Sequence, residues 1–125
     1  MNARDPQTDA ASRALPGARP ASTPDLSVVV PTWRRPDLLE RCLDALTHQT
    51  LAPERYEVIV CDDGPDDATR EVAQRFAAAH EARGLTIHYL PIRASQGPAA
   101  ARNAGWRHAL APVIAFTDEI GRAHV

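Results

Sequence analysis

Pro112-Val113-Ile114-Ala115-Phe116-Thr117-Asp118-Glu119 is the stretch on which the reading of this chain turns. A short apolar, β-branched run opened by proline and closed by carboxylates has the pattern of a buried parallel strand. Such a strand delivers its acid groups to the carboxyl edge of a sheet, where open α/β sheets bind ligands. Carboxylates at that edge suit a hard divalent cation shared with phosphate oxygens. Only six residues follow Glu119.

Upstream, the pattern repeats. Leu26-Ser27-Val28-Val29-Val30 is a strand ended by Pro31. Pro36 suits the first turn of a helix and Asp37 its positive end. Leu38, Leu39, Cys42, Leu43 and Leu46 then form one apolar stripe running to about Gln49. Tyr56 to Cys61 is a second strand, running into Asp62-Asp63-Gly64-Pro65. Asp66 or Asp67 caps the next helix, with Val72, Phe76 and Ala79 inward and Gly84 as its stop. Leu85 to Leu90 is a third strand, and Gly97-Pro98 opens an alanine-rich helix through Leu110. Strands alternating with helices on short connections imply an α/β fold with a Rossmann-like parallel sheet and right-handed crossovers.

Composition bounds the function classes. A net charge of −2 gives no footprint for nucleic acid. All 14 basic residues are Arg, which removes a P-loop lysine, a Schiff-base lysine and the lysine of a phosphoacceptor receiver domain. Cys42 and Cys61 fall in a helix and a strand and read as buried free thiols of a reducing interior. No apolar run reaches the roughly 18–20 residues needed to span a bilayer. Residues 1–24, rich in Ala, Pro, Arg and Ser without periodicity, read as a disordered tail.

The strand ends carry the chemistry. After the first strand a dinucleotide-binding fold would show GxGxxG, whereas here stand Pro31-Thr32-Trp33-Arg34-Arg35-Pro36. A flat aromatic and a rigid proline suit a nucleobase, with Arg34 or Arg35 supplying charge; Trp33 is equally able simply to cover the end of the sheet. Asp62 and Asp63 suit a ribose or base N–H, or serve only as turn formers before Gly64-Pro65. Arg102-Asn103, set among alanines that otherwise need only close packing, suggest a polar site beneath a nucleotide. The five histidines lack metal-ligand spacing and read as structural or surface residues.

Four segments together, "LSVVVPTWRRPDLLERCLDAL", "YEVIVCDDG", "SQGPAAARNAGWRHAL" and "VIAFTDE", resemble the family 2 glycosyltransferases, in family order and over nearly all of residues 26–119. The resemblance implies a GT-A fold, incomplete at its C-terminus, with the fourth strand beside the first. It also implies transfer of a sugar from a nucleotide-diphosphate donor to an acceptor hydroxyl, with inversion. By similarity Pro31, Thr32 and Trp33 line the base pocket, with Arg35 beside them, and Asp63 with Asp62 contacts base or ribose. Arg102 lies near the nucleotide or braces the acidic loop. Asp118 is the first aspartate of a DxD-type motif, on the side of the ribose and of the expected Mg²⁺ or Mn²⁺. The partners implied are the nucleotide sugar and an unknown acceptor, in a cytoplasmic setting, with membrane association left open for the intact protein.

The sequence departs from that pattern at one place. Ile120 stands where the second carboxylate belongs, and the catalytic base is expected beyond the chain end. Residues 120–125, Ile-Gly-Arg-Ala-His-Val, read like one frame of a sequencing-library adapter and are expected to be a non-native tail on a domain spanning 25–119. A fragment of this kind is expected to be inactive and aggregation-prone alone. A non-catalytic nucleotide-sugar-binding or interaction module is the alternative from another class.

Overall fold

The computed structural model describes residues 23–93 and 97–117. β1 (Leu26–Thr32), β2 (Tyr56–Asp62), β3 (Thr86–Pro91) and β4 (Val113–Phe116) form one sheet in the order β3-β2-β1-β4. Every pairing is parallel. Between the strands lie α1 (Pro36–Leu46), α2 (Asp67–Glu81) and α3 (Pro98–His108), with a short 3-10 turn at Pro53–Arg55. The α/β expectation and the position of β4 beside β1 both hold, but β4 is not the buried strand expected: it lies at the sheet edge with Val113 and Phe116 exposed.

Alternation along the strands creates two cores. Val28, Val30, Val58 and Val60 face α1 and α2 and pack with Leu39, Cys42, Leu43, Val72 and Ala73. Val29, Ile59 and Cys61 face the other way, onto Ala101 of α3. The direction of travel explains this division. The chain moves from β1 out to β3, then reverses to place β4 on the far side of β1. Crossovers of one hand put the helix of the reversing step on the opposite face. β2, flanked on both sides and covered on both faces, is buried at all seven positions.

α3 approaches the sheet unusually closely. A Cβ on Gly105 would stand 2.4 Å from a Val29 methyl carbon and 2.7 Å from Cys61 Sγ. Nothing larger than glycine fits there without moving the helix. The same desolvation pushes the Cys61 thiol up to about 12, so it packs as an inert apolar group.

Several boundaries differ from the pattern-based reading. Pro31 does not end β1 but lies within it, opposite Cys61. The Thr117 N–H donates to Val29 O and the Asp63 N–H to Thr32 O, so odd β1 residues face β4 and even ones face β2. The next rung toward β4 would need an N–H on residue 31, which proline lacks. Pro31 therefore ends the pairing with β4 while the β2 ladder continues. α1 stops at Leu46 rather than Gln49: the His48 N–H bonds Ala45 O instead of Asp44 O, and the Thr47 hydroxyl takes the Asp44 carbonyl at 3.1 Å. α2 is capped by Asp66, whose Oδ1 accepts from Thr69 N at 2.8 Å. Ala79 is exposed, and Ala73 fills the inward place instead. α3 ends at His108, leaving Leu110 exposed.

Candidate functional site

The carboxyl edge is built from the ends of β1, β2 and β3 and the start of α3. Thr32 and Asp62 are register partners, and the Asp63 N–H closes the pair by donating to Thr32 O at 2.9 Å. The chain then turns sharply: Arg34 has φ of 51°, an uncommon conformation for a residue with a Cβ. This turn lays Trp33 and Arg34 against the β2 loop. A Cβ on Gly64 would lie 3.0 Å from Trp33 Cδ1 and from Arg34 Nε, so the absence of a side chain there seats both. The Arg34 guanidinium stands 5.6 Å from the Trp33 ring centroid, a cation–π distance. Trp33 remains 51% exposed, which leaves much of the aromatic surface open to a partner.

The two aspartates differ in role. Asp62 is fully buried; Tyr89 Oη donates to its Oδ2 at 2.6 Å and the Gly64 N–H to its Oδ1 at 3.2 Å. Burial pushes its carboxyl above the ordinary value, and these bonds only partly offset that. The Tyr89 hydroxyl is raised in turn, by burial and then by its bond to the carboxylate. Asp62 thus fastens the end of β2 to β3. Asp63 reaches the other way, its Oδ2 accepting from the Gly97 N–H at 2.9 Å. Gly97 is the cap of α3, with φ of 97° and no side chain to do that work itself. The Asp63 carboxylate supplies the missing cap and lies at the helix's positive end.

Thr32 Oγ1 is buried with no hydrogen-bond partner among the described residues. A hydroxyl left this way at a ligand edge is a place for a water or a ligand atom. Pro31, Thr32, Trp33, Asp62 and Asp63 are therefore brought to one edge. Arg35, just before α1, and Arg102, in the second turn of α3, are exposed on the flanking helices. Asp118 and residues 119–125 lie outside the described residues, as do residues 1–22 of the expected tail. Tyr89 and the Gly97 N–H were not found by sequence reasoning. The Tyr89 contact was legible only through strand register, and a backbone N–H leaves no trace in composition.

The described residues do not by themselves make a metal centre. No three His, Cys, Asp or Glu among them are grouped as a cation would need. The oxygens of Asp62 are already held by donors of the chain, and one oxygen of Asp63 is as well. None of the described helices is long and apolar enough to cross a membrane.

Comparison with known proteins agrees with this geometry. Validoxylamine A glucosyltransferase of Streptomyces hygroscopicus subsp. limoneus is 43% identical over 104 residues, 83% of this chain and 22% of that protein. Glycosyltransferase AglE of Haloferax volcanii is 34% identical over 78% of this chain and 31% of its own length. The chain thus spans under a third of these relatives. Among solved structures, the mannosyltransferase PcManGT from Pyrobaculum calidifontis, in complex with GDP-Man and Mn²⁺, superposes with a TM-score of 0.71. It is 30% identical, over 81% of this chain and 29% of that one. S. aureus TarS 1-349 in complex with UDP superposes at 0.67, with 25% identity over 77% of this chain and 27% of that one. Residues 27–119 match glycosyl transferase family 2, and with strand order, edge loops and relatives in agreement, the chain belongs to that family.

Proposed function

We propose that the carboxyl edge binds the nucleoside-diphosphate part of a sugar donor, as one half of an inverting glycosyltransferase. The observation that carries this is the meeting of three segments at Asp63: its N–H bonds the end of β1 and its carboxylate bonds the start of α3. That places Thr32 and Trp33 beside the acidic loop, at the edge where such sheets take ligands. The two solved relatives hold GDP-Man and UDP respectively.

In this reading Trp33 offers its exposed face to the base, with Pro31 and Arg35 at the rim. Thr32 Oγ1 and Asp63 offer polar contacts to base or ribose, while Asp62 holds the loop that presents them. Arg102 contributes positive charge from α3. The acceptor hydroxyl attacks the anomeric carbon as the bond to the diphosphate oxygen breaks, which inverts that centre; its proton passes to a carboxylate base outside the described residues. A divalent cation, Mg²⁺ or Mn²⁺, would neutralise the departing diphosphate when bound, with Asp118 as the ligand this chain supplies.

Calorimetric titration with UDP, GDP, ADP and CDP, with and without Mn²⁺, tests the reading. One diphosphate is expected to bind in preference to the others. Trp33→Ala is expected to weaken it about tenfold, the loss of one base–aromatic stack, and Asp63→Ala by a similar factor. Equal failure of all four diphosphates at millimolar concentration would sink the proposal. Binding that ignores Mn²⁺, without sugar transfer by the intact protein, would favour a binding module instead.

A further inference from the structure

At the amino edge of the sheet, Ser27 and Glu57 are register partners on the α3 face, 0% and 2% exposed. Ser27 Oγ donates to Glu57 Oε2 at 2.6 Å, and the Leu110 N–H donates to the same oxygen at 2.8 Å. His88 Nε2 lies 2.8 Å from Glu57 Oε1. The Ala111 N–H donates to Ser27 Oγ at 3.1 Å. His108, the last residue of α3, sets its ring edge against His88 with centroids 5.0 Å apart. The carboxylate stands between serine and histidine, so no imidazole touches the serine hydroxyl and the Ser–His contact of a nucleophile–base pair is not made.

The arrangement answers a backbone problem. α3 has ended at His108 and β4 does not begin until Val113, so the amides of Leu110 and Ala111 have no helix or sheet partner. Three donors from β1, β3 and the α3–β4 connection converge on one side chain. An ionised carboxylate can accept all three, because it carries no proton of its own. The first β4 rungs, Leu26 to Val113 and Ser27 to Ile114, follow directly.

We propose that Glu57 is a positioning residue, latching the α3–β4 connection to the starts of β1, β2 and β3 and so fixing the register in which β4 runs toward Asp118. Its bearing on sugar-donor binding rests on the function proposed above; the latch itself does not.

Amide hydrogen exchange of the 125-residue chain reads the latch directly. Ser27→Ala is expected to speed exchange at Ala111 and across residues 113–116 about tenfold, the loss of one buried hydrogen bond, with the β2–β3 ladder unchanged. Glu57→Gln is expected to do the same at Leu110, and Ser27→Ala decides alone if that variant does not fold. His88→Leu removes a donor that favours the ionised carboxyl, so protection at Leu110 should be lost at a higher pH than in wild type. His108, against the His88 ring, and Ser27, on the Glu57 carboxylate, remain in place in that variant. Unchanged exchange at 110–116 in the Ser27 and Glu57 variants would overturn the latch, as would acceleration spread equally into β2–β3. Absence of nucleotide binding by the wild type sinks the donor reading and leaves the latch standing. Wild-type nucleotide affinity in Ser27→Ala, despite faster β4 exchange, would overturn the link between latch and donor site.

Discussion

Glu57 and Asp62 stand at the two ends of β2, both buried, and the fold shifts them in opposite directions. Desolvation acts against the ionised form of each. At Glu57 it is outweighed by bonds from His88, Ser27 and the Leu110 N–H, with the His88 charge adding to them, and the carboxyl is held below its ordinary range. At Asp62 burial, with the Asp66 charge beside it, outweighs the Tyr89 phenol and the Gly64 and Asp66 amides, and the carboxyl stays above it. The amino edge is internally satisfied, as a packing element needs to be. The carboxyl edge carries a Thr32 hydroxyl with no partner among the described residues, a half-exposed Trp33 and a left-handed Arg34. Local inconsistency of this kind collects where a fold serves a ligand rather than its own stability.

The strongest test of the contrast removes what both ends share. α3 touches the carboxyl edge through Gly97 and the amino edge through the segment after His108, and Gly105 seats it. Gly105→Ala should push the helix off Val29 and Cys61 and cost about 3 kcal/mol in chemical denaturation. Loss of less than about 0.5 kcal/mol would show that the close approach is not needed. Next in size is the difference between the ends themselves. Glu57→Ala leaves three donors without their acceptor and should cost about 2 kcal/mol. Asp62→Ala also relieves an unfavourable desolvation, so it should cost only about 1 kcal/mol. The reverse order would break the comparison.

The smallest effect is in pH, and its signs are opposite at the two ends. Glu57 is depressed in the folded state, so its stabilisation is present above the ordinary carboxylate range and is lost as pH falls through its lowered value. Asp62 is raised, so its favourable contribution is complete below the ordinary range and is lost as pH rises through its elevated value. Thermal melts across pH should therefore show an acid-side slope removed by Glu57→Gln and a slope just above the carboxylate range removed by Asp62→Asn. Removal of both slopes by one variant would mean the two ends titrate as one unit.

Much of the fold was legible because its signals are local. The apolar, β-branched runs of β1 and β2, Pro36 inside the start of α1, Asp66 before α2 and Gly97-Pro98 before α3 each act within a few residues. The edge residues from Pro31 to Trp33 and the Asp62-Asp63 pair were legible for the same reason, since each directly follows or ends its strand. Boundaries failed where side chains competed for backbone groups: Thr47 took the Asp44 carbonyl and Gln49 the Ala45 carbonyl that would have continued α1.

What the sequence by itself determined, then, is the order of strands and helices and which strand ends carry acids, an aromatic and arginines. Tertiary structure alone decided what those groups do. Ser27, Leu110 and Ala111 meet their partners across sequence separations of 30, 53 and 84 residues, and nothing in the local pattern of any of them points to the others. Register is the physical reason. A slip of one residue turns a side chain to the opposite face, so only the assembled sheet could put Glu57 among three donors. The same register gave Asp62 a tyrosine and set Asp63 at the cap of α3.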